Sequence, residues 1–235
     1  MIFERFKSAG TAHNSYLIGS GSSAVVIDPR RDCQIYVDYA RQKGMRIKQI
    51  FETHRNEDYV VGSIELKNIT GAGIYHGPGL DWKYGVTVEN GQQFRIGGLK
   101  LTAIHTPGHT DESMSYAVTD LATGEAAILV FTGDALFVNE VGRTDLYGAE
   151  DIPRLASDLY DSIFNKILPL GDSVIICPAH GGGSVCGMPF AAGWSFTPRI
   201  FSSPWSLIRL PAPQPPTYIV PRSPSSIAPT FGTFP

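Results

Sequence analysis

Short β-rich runs alternate along this chain with stretches whose apolar residues recur every three or four positions, and this alternation restricts the fold more than any other feature. The first two runs, residues 15–18 and 23–28, are separated by a turn-forming Gly-Ser-Gly segment. Helical periodicity covers residues 32–44, 59–69 and about 150–168. Further strands are predicted at residues 47–53, 86–88, 93–96, 99–104, 114–118, 126–131 and 173–177. This order predicts a layered α/β domain with helices outside a central pair of sheets.

Four polar clusters each follow a predicted strand directly, where loops can converge on a common site. They span residues 53–59, 106–110, 132–135 and 178–181, and they contain His54, His109, Asp134 and His180. Two neutral imidazoles and one carboxylate bind a divalent cation on one face and leave its other face open. Each residue alone has a simpler explanation, as a hydrogen-bonded histidine or a turn-capping aspartate. Together the four clusters predict a metal site built from strand ends.

The order of these motifs, His54 followed by PGHT, GD and PAHG, resembles the metallo-β-lactamase superfamily over nearly all of residues 1–187. The resemblance implies an α/β fold of the αββα sandwich type for residues 1–187. The superfamily's first motif normally reads T-H-x-H-x-D-H and supplies ligands for two metal ions. Here Asn56 and Tyr59 stand at the second and last histidine positions, and neither neutral side chain is a good ligand. This departure argues against a dinuclear zinc site.

Within the superfamily the chain most resembles the iron-dependent persulfide dioxygenases, in which one iron is held by residues matching His54, His109 and Asp134. The segments FTGDALF (131–137), GRTD (142–145) and PAHGGGS (178–184) are similar to the bacterial branch that a rhodanese sulfurtransferase domain often follows. The resemblance implies one iron(II) ion per chain, with zinc as the alternative metal. It also implies oxidation of a low-molecular-weight persulfide, of the glutathione persulfide type, to sulfite.

The same resemblance implies roles for residues around the metal, with Arg143, Asp58 and Tyr59 as the candidate catalytic residues. Arg143 matches the family's arginine near the site, and its guanidinium suits a carboxylate or a sulfur oxyanion. His180 and Asp58 match positions that serve a second metal in dinuclear relatives. With one iron, we expect both to hydrogen-bond ligands or water. Asn56 and Tyr59 are expected to act in a similar way.

Two other functions stay open at this point. A hydrolase of the glyoxalase II or thioesterase type would need a metal-bound hydroxide, and the related hydrolases usually use the two-metal ligand set that Asn56 and Tyr59 break. A non-catalytic domain that binds thiols or a partner protein would explain those two substitutions as decay of the site. The presence of His54, His109, Asp134 and His180 argues against decay.

The composition of the whole chain limits which partners and which cellular compartment are expected. The net charge is −3 without a block of like charges, so neither nucleic acid nor an anionic membrane surface is an expected partner. Residues 1–7 do not read as a signal peptide, and the longest apolar run, residues 126–131, is too short to span a bilayer. Three cysteines without a CxxC pair fit a reducing cytoplasm, and Cys186 is the one most suited to handle sulfur. A small thiol or persulfide is the expected ligand. The protein partners considered are a second copy of this chain, in a homodimer, and a rhodanese-type sulfurtransferase.

The composition changes abruptly after Gly187. Residues 188–235 hold 11 of the 17 prolines and contain no Asp, Glu, Lys or His. Since proline removes a backbone donor and fixes φ, this tail is predicted to be disordered or loosely draped, without a regular helix or a central strand. A change of reading frame and a proline-rich docking segment are both compatible with this composition.

Overall fold

The computed structural model describes residues 1–8, 10–56, 60–181, 186–189 and 208–209, with only the backbone of residues 187–189 and 208–209. Within these residues, one sheet is formed in order by β1 (Ile2–Lys7), β2 (Asn14–Ser20), β3 (Ser23–Ile27), β4 (Arg46–Phe51), β5 (Gly73–His76) and β6 (Val86–Thr87). The remaining strands are β7 (Gln93–Ile96), β8 (Leu99–His105), β9 (Met114–Asp120), β10 (Ala127–Gly133), β11 (Glu140–Gly142), β12 (Ile175–Pro178), β13 (Gly187–Pro189) and β14 (Ile208–Arg209). β11 pairs with β13, and the others form a second sheet in the order β14-β12-β10-β9-β8-β7.

In the described part of the chain, three helices cover the outer faces of the two sheets. They are α1 (Gln34–Gln42), α2 (Ser63–Thr70) and α3 (Ile152–Asp161). α3 continues as a π-helical segment, Ser162–Ile167, and a 3-10 turn, Leu168–Leu170. α1 and α2 pack on the first sheet, whereas α3 and its continuation pack on the second. Among the described residues, every helix is too short or too polar to traverse a bilayer.

The core follows from the period of two along each strand. Ile18 and Val25 face the space between the sheets, while their neighbours Leu17 and Val26 face the helices. Aromatic side chains fill much of the layer between the sheets, among them Phe51, Tyr116 and Phe131. Burying one such large apolar side chain contributes about 1.5–3 kcal/mol, so this layer is a major source of stability. The predicted αββα sandwich is confirmed.

Before the tail, three strands that depend on long-range pairing were not predicted from the sequence. β1 is an edge strand that pairs only with β2 among the described residues. β5 has four residues and β11 has three, too few for an alternating pattern to stand out. α2 begins at Ser63 rather than at residue 59, and residues 57–59 lie outside the described part of the chain.

Most of the tail lies outside the described residues. Residues 188–189 belong to β13, and residues 208–209 form an edge strand of two residues antiparallel to β12. An edge position is where a proline-rich segment can pair with a sheet, because only one side of the strand needs donors. The boundary at residue 187 and the disorder of the tail therefore stay predictions.

Strand direction brings the predicted polar clusters to one edge of the sandwich. β8 and β10 both run antiparallel to β9, and β12 runs parallel to β10, so all three end at the same edge. His109, Asp134 and His180 follow these strands, and His54 follows β4 of the other sheet. Hydrogen bonds join the two sheets here, from the Tyr116 hydroxyl to the carbonyl of Glu52 at 2.9 Å among others.

Candidate metal centre

Three predicted ligands lie together in the interior at this edge. The ligand atoms of His54, His109 and Asp134 are all within 4.8 Å of one another, and each residue is at most 4% exposed. Nε2 of each histidine is 3.6 Å from Oδ2 of Asp134. Two atoms that share one cation through bonds of about 2.1 Å must lie within about 4 Å of each other, and this separation satisfies that condition.

His54 is held by a short chain of hydrogen bonds that starts at Asp28. The Thr53 hydroxyl donates to Oδ2 of Asp28 at 2.7 Å and lies 3.0 Å from Nδ1 of His54. Because the hydroxyl proton is used toward Asp28, Nδ1 of His54 carries the proton that the hydroxyl oxygen accepts. Nε2 then keeps its lone pair toward Asp134, which is the tautomer that a metal ligand needs.

The backbone at the ends of β3 and β10 fixes this series of hydrogen bonds in place. Asp28 has φ of 49°, and its Oδ1 accepts the backbone N–H of Thr53 at 2.8 Å. Burial raises the pKa of Asp28 to about 6, opposed by the charge of His54 and the hydrogen bonds from Thr53. Gly133, at φ of +54°, lies so close that a Cβ there would be 2.7 Å from the Thr53 hydroxyl oxygen. Only glycine therefore lets β10 approach the loop that carries His54.

His109 is oriented by a backbone carbonyl. Its Nδ1 donates to the carbonyl oxygen of Arg143 at 2.9 Å, which again leaves the Nε2 lone pair facing Asp134. Gly142 makes this approach possible, because a Cβ at Gly142 would be 2.1 Å from the carbonyl oxygen of Asp134 and 2.8 Å from Cβ of His109. Burial lowers the pKa of His109, which favours the neutral imidazole that binds metals.

Asp134 is an ionised carboxylate with one oxygen held by His180. Nδ1 of His180 lies 2.8 Å from Oδ1 of Asp134. Burial opposes ionisation of Asp134, but His54 and His180 hold the pKa of this carboxyl well below its usual range. Burial alone would lower the pKa of His54, yet the Asp134 carboxylate raises it above its ordinary value. Oδ2 of Asp134 is buried and accepts no hydrogen bond from the residues that the structure describes.

Glu112 supports the same loops, and sequence reasoning did not single it out. It is fully buried, and its Oε1 accepts the backbone N–H of Arg55 at 3.0 Å, next to His54. The Tyr147 hydroxyl is 3.4 Å from its other oxygen. Glu112 thus joins the loop after β4 to the loop after β8. No signal in one sequence distinguishes it from an exposed glutamate, because its partners are far away along the chain.

The other predicted site residues have different positions. The Arg143 guanidinium is partly exposed and forms two hydrogen bonds with the Asp145 carboxylate, at 2.6 and 2.9 Å, while its carbonyl serves His109. The Asn56 amide donates to the carbonyl of His54 at 3.1 Å, so it supports the loop as expected. Asp58 and Tyr59 lie outside the described residues, and their catalytic roles stay predictions.

The remaining histidines and cysteines separate into structural and site-adjacent groups. His105 lies at the end of β8, where its Nε2 donates to the carbonyl of Asp111 at 2.8 Å. His76 stacks on Trp82 with ring centroids 4.4 Å apart. His13 is fully buried with its ring 5.8 Å from that of His180. Cys33 and Cys177 are buried, whereas Cys186 is half-buried and lies near Asp134 and His180.

A second group of possible ligands shares Asp134 with the first. It consists of Asp134, His180 and Cys186, whose ligand atoms also lie within 4.8 Å of one another. The first group, with two imidazoles and one carboxylate, suits iron(II) and also zinc. Its buried and unsatisfied carboxylate oxygen is the site at which a cation would replace missing hydrogen bonds, so the residues present fit a bound divalent metal.

Comparison with known proteins agrees with this architecture. The chain is 28% identical over 227 residues to persulfide dioxygenase ETHE1, mitochondrial, of Bos taurus, which covers 89% of this chain and 82% of that protein. It is 34% identical over 143 residues to hydroxyacylglutathione hydrolase, mitochondrial, of Saccharomyces cerevisiae, covering 57% of this chain and 50% of the hydrolase. The crystal structure of ETHE1 from Myxococcus xanthus matches with a TM-score of 0.68 and 30% identity, over 80% of each chain.

The family model described as the metallo-beta-lactamase superfamily matches residues 9–180, which include β2 to β12 and His54, His109, Asp134 and His180 of the four polar clusters. Apart from the edge strands β1 and β14, the strands of the two sheets, the outer helices and the metal ligands at one edge are contained in this range. This chain therefore belongs to the metallo-beta-lactamase superfamily.

Proposed function

We propose that this chain is an iron-dependent dioxygenase that oxidises a low-molecular-weight persulfide, of the glutathione persulfide type, to sulfite. The observation that carries the proposal is the buried group of His54, His109 and Asp134, because two histidines and one carboxylate with open positions are the donor set of non-haem iron oxygenases. The relatives named persulfide dioxygenase support the choice of substrate. In this reaction one persulfide, one dioxygen and one water become one thiol, one sulfite and two protons.

The protein's own contribution is to hold three donors in fixed orientation. When bound, iron(II) supplies the redox chemistry that lets dioxygen react with the persulfide sulfur. Thr53 holds Nδ1 of His54, and the Arg143 carbonyl holds Nδ1 of His109, so that both Nε2 lone pairs point toward Asp134. His180 holds one Asp134 oxygen and leaves the other for the metal. Preset orientation reduces the reorganisation that metal binding requires.

Arg143 is the residue that we assign to binding the anionic part of the substrate. The carbonyl oxygen of Arg143 accepts a hydrogen bond from His109, and this contact fixes the Arg143 backbone beside the metal ligands. Its guanidinium is paired with Asp145 at a partly exposed position, where a carboxylate of the thiol carrier can compete for the same donors. Such exposed pairs are weak, at about 0–1 kcal/mol, so the exchange costs little.

A hydrolase of the glyoxalase II type is the second candidate, favoured by the similarity to a hydroxyacylglutathione hydrolase. Hydrolysis would use a metal-bound hydroxide and a thioester of glutathione. The amide of Asn56 is engaged with the carbonyl of His54, so this position offers an oxygen that binds metal weakly, where a dinuclear hydrolase would use histidine. This arrangement favours the oxygenase.

Oxygen consumption tests the proposal. Protein loaded anaerobically with iron(II) is mixed with glutathione persulfide, and dioxygen uptake and sulfite are measured together. We expect uptake that depends on the persulfide and is abolished in His54→Ala and Asp134→Ala. His105→Ala is the matched control, since His105 lies outside the cluster, and it should keep the activity. Zinc-dependent hydrolysis of a glutathione thioester without oxygen uptake would replace the proposal by the hydrolase.

A further inference from the structure

The loop that carries His109 is covered on its outer side by α3 and the π-helical segment that continues it. Two side chains of this segment donate to carbonyl oxygens where β8 ends and the loop begins. The Ser162 hydroxyl donates to the carbonyl of Pro107 at 2.8 Å, and the Lys166 ammonium donates to the carbonyl of His105 at 2.7 Å. Neither Ser162 nor Lys166 lies in one of the polar clusters that the sequence predicts.

The π-helical turn explains how these two side chains reach the loop. The buried apolar residues on the sheet side of this helix recur every four positions, at Leu155, Leu159, Ile163 and Ile167. In a regular α-helix of about 3.6 residues per turn, each step of four would rotate the apolar face by about 40°. The i→i+5 hydrogen bonds of a π-helix widen the turn, which removes part of this rotation. Ile163 and Ile167 therefore stay on the sheet, and Ser162 and Lys166, one position before each, stay beside the loop.

α3 itself also meets this loop closely. Gly108, at φ of +134°, approaches so near that a Cβ there would be 2.4 Å from both Cβ and the backbone nitrogen of Leu159. Near the start of α3, Arg154 donates to both carboxylate oxygens of Asp111, at 2.6 and 3.3 Å. The helix thus contacts the loop on both sides of His109 along the chain.

We infer that Ser162 and Lys166 are positioning residues for the metal ligand His109. They act through the main chain, because the two carbonyl oxygens that they hold fix the backbone from which the imidazole projects toward Asp134. The Lys166 contact is the stronger of the two, since charge-assisted hydrogen bonds are about twice as strong as neutral ones. This role rests on the proposed function only through the metal position, and it does not depend on the substrate.

The loop has hydrogen bonds of its own, so loss of the two helix contacts should loosen it rather than unfold it. The backbone N–H of Thr106 donates to the carbonyl of Ser113 at 2.8 Å, and the hydroxyls of Thr110 and Ser113 are 2.7 Å apart. A variant that lacks both helix contacts is therefore expected to fold, with a less precisely placed His109.

Cobalt(II) binding to the full-length protein tests this role. In the double variant Ser162→Ala/Lys166→Met, alanine removes the hydroxyl, and methionine keeps most of the aliphatic stem without the ammonium. We expect cobalt(II) to bind roughly 10-fold more weakly, as for other groups that orient a ligand. The d–d absorption bands of bound cobalt should also shift, because the imidazole of His109 approaches the metal at a different angle. Anaerobic competition with a chromophoric chelator measures the affinity.

Three single variants serve as controls. Lys166→Arg keeps a cationic donor and should retain most of the affinity that Lys166→Met loses. Lys67→Met makes the same change at an exposed position of α2 and should bind as the wild type does. His105→Ala keeps the backbone carbonyl that Lys166 contacts, so it should also bind normally. Denaturant unfolding of each metal-free variant shows that the titrated protein is folded.

A folded double variant with the affinity and spectrum of the wild type would overturn the inference, whatever its loss of stability. A wild type whose cobalt spectrum is unchanged by His109→Ala would overturn it as well, since His109 would then not be a ligand. Neither readout uses persulfide or dioxygen. A negative oxygen-uptake assay would therefore count against the proposed reaction alone.

Discussion

At the scale of single residues, the three predicted ligands and His180 could be identified from the sequence more readily than the side chains that orient them. His54, His109, Asp134 and His180 each follow a β-rich run in a short motif, so spacing alone brings them into consideration. Asp28 is 25 residues from Thr53, and Glu112 is 57 residues from Arg55. Those contacts arise only when the sheets pack. Asp28 follows β3 directly and holds the hydroxyl that orients His54.

The Thr53 hydroxyl should matter for metal affinity although it touches no metal. In Thr53→Val the side chain keeps its shape but loses the hydrogen bonds to Asp28 and His54. We expect metal binding to weaken roughly 10- to 100-fold, as for other groups that orient a ligand. Competition with a chromophoric chelator measures this affinity.

Thr87→Val is the control for that substitution, because Thr87 is exposed in β6. Affinity should be unchanged in this variant. Unchanged affinity in Thr53→Val as well would show that the hydrogen-bond chain does not orient His54.

At the scale of elements, the sequence predicts the strands whose alternation is long and misses those defined by pairing. β8 and β9 each have seven residues with apolar side chains on the core face, and both were predicted. β11 was not predicted, since its three residues become a strand only by pairing with β13. This short ladder matters for the site because it sets the Arg143 carbonyl against His109 and carries Cys186.

Gly142 in β11 tests how closely this ladder must approach the ligands. A Cβ at this position would meet the carbonyl oxygen of Asp134 at 2.1 Å, so Gly142→Ala must move β11 away from His109. We expect a loss of about 1–3 kcal/mol in the free energy of unfolding, typical of overpacking, together with weaker metal binding. Denaturant unfolding and chelator competition measure the two effects.

Gly98→Ala is the comparison variant, because a Cβ there meets only the end of the Ser20 side chain, at 3.3 Å. It should leave metal affinity unchanged. Equal effects of both alanine substitutions on metal affinity would contradict the role given to β11.

At the scale of the whole molecule, the αββα sandwich was predictable because strand and helix periodicities alternate in a fixed order. The edge that holds the site follows from strand direction. The structure of residues 188–235 was less predictable. Their composition excludes a regular helix or a central strand, but it does not exclude short pairing at a sheet edge. β14 adds two residues beside β12, and β13 adds three beside β11.

Two truncations separate the contribution of residues beyond 189 from the contribution of β13 and Cys186. A chain that ends after Pro189 keeps β13 and loses only the short β14 among the described strands, so we expect its melting temperature to change little. A chain that ends after Gly181 also loses β13 and Cys186, and we expect it to bind metal more weakly because β11 has lost its partner. Calorimetry and chelator competition measure both. A large fall in melting temperature for the first truncation would show that residues beyond 189 pack on the domain.

The central claim is that His54, His109 and Asp134 hold one iron, and its most direct test is the iron content of protein loaded anaerobically with iron(II) and then desalted. Elemental analysis should find about one iron per chain in the wild type and in His105→Ala, and almost none in His54→Ala or Asp134→Ala. Iron that remains bound in His54→Ala, or a wild type that retains no iron, would contradict the account.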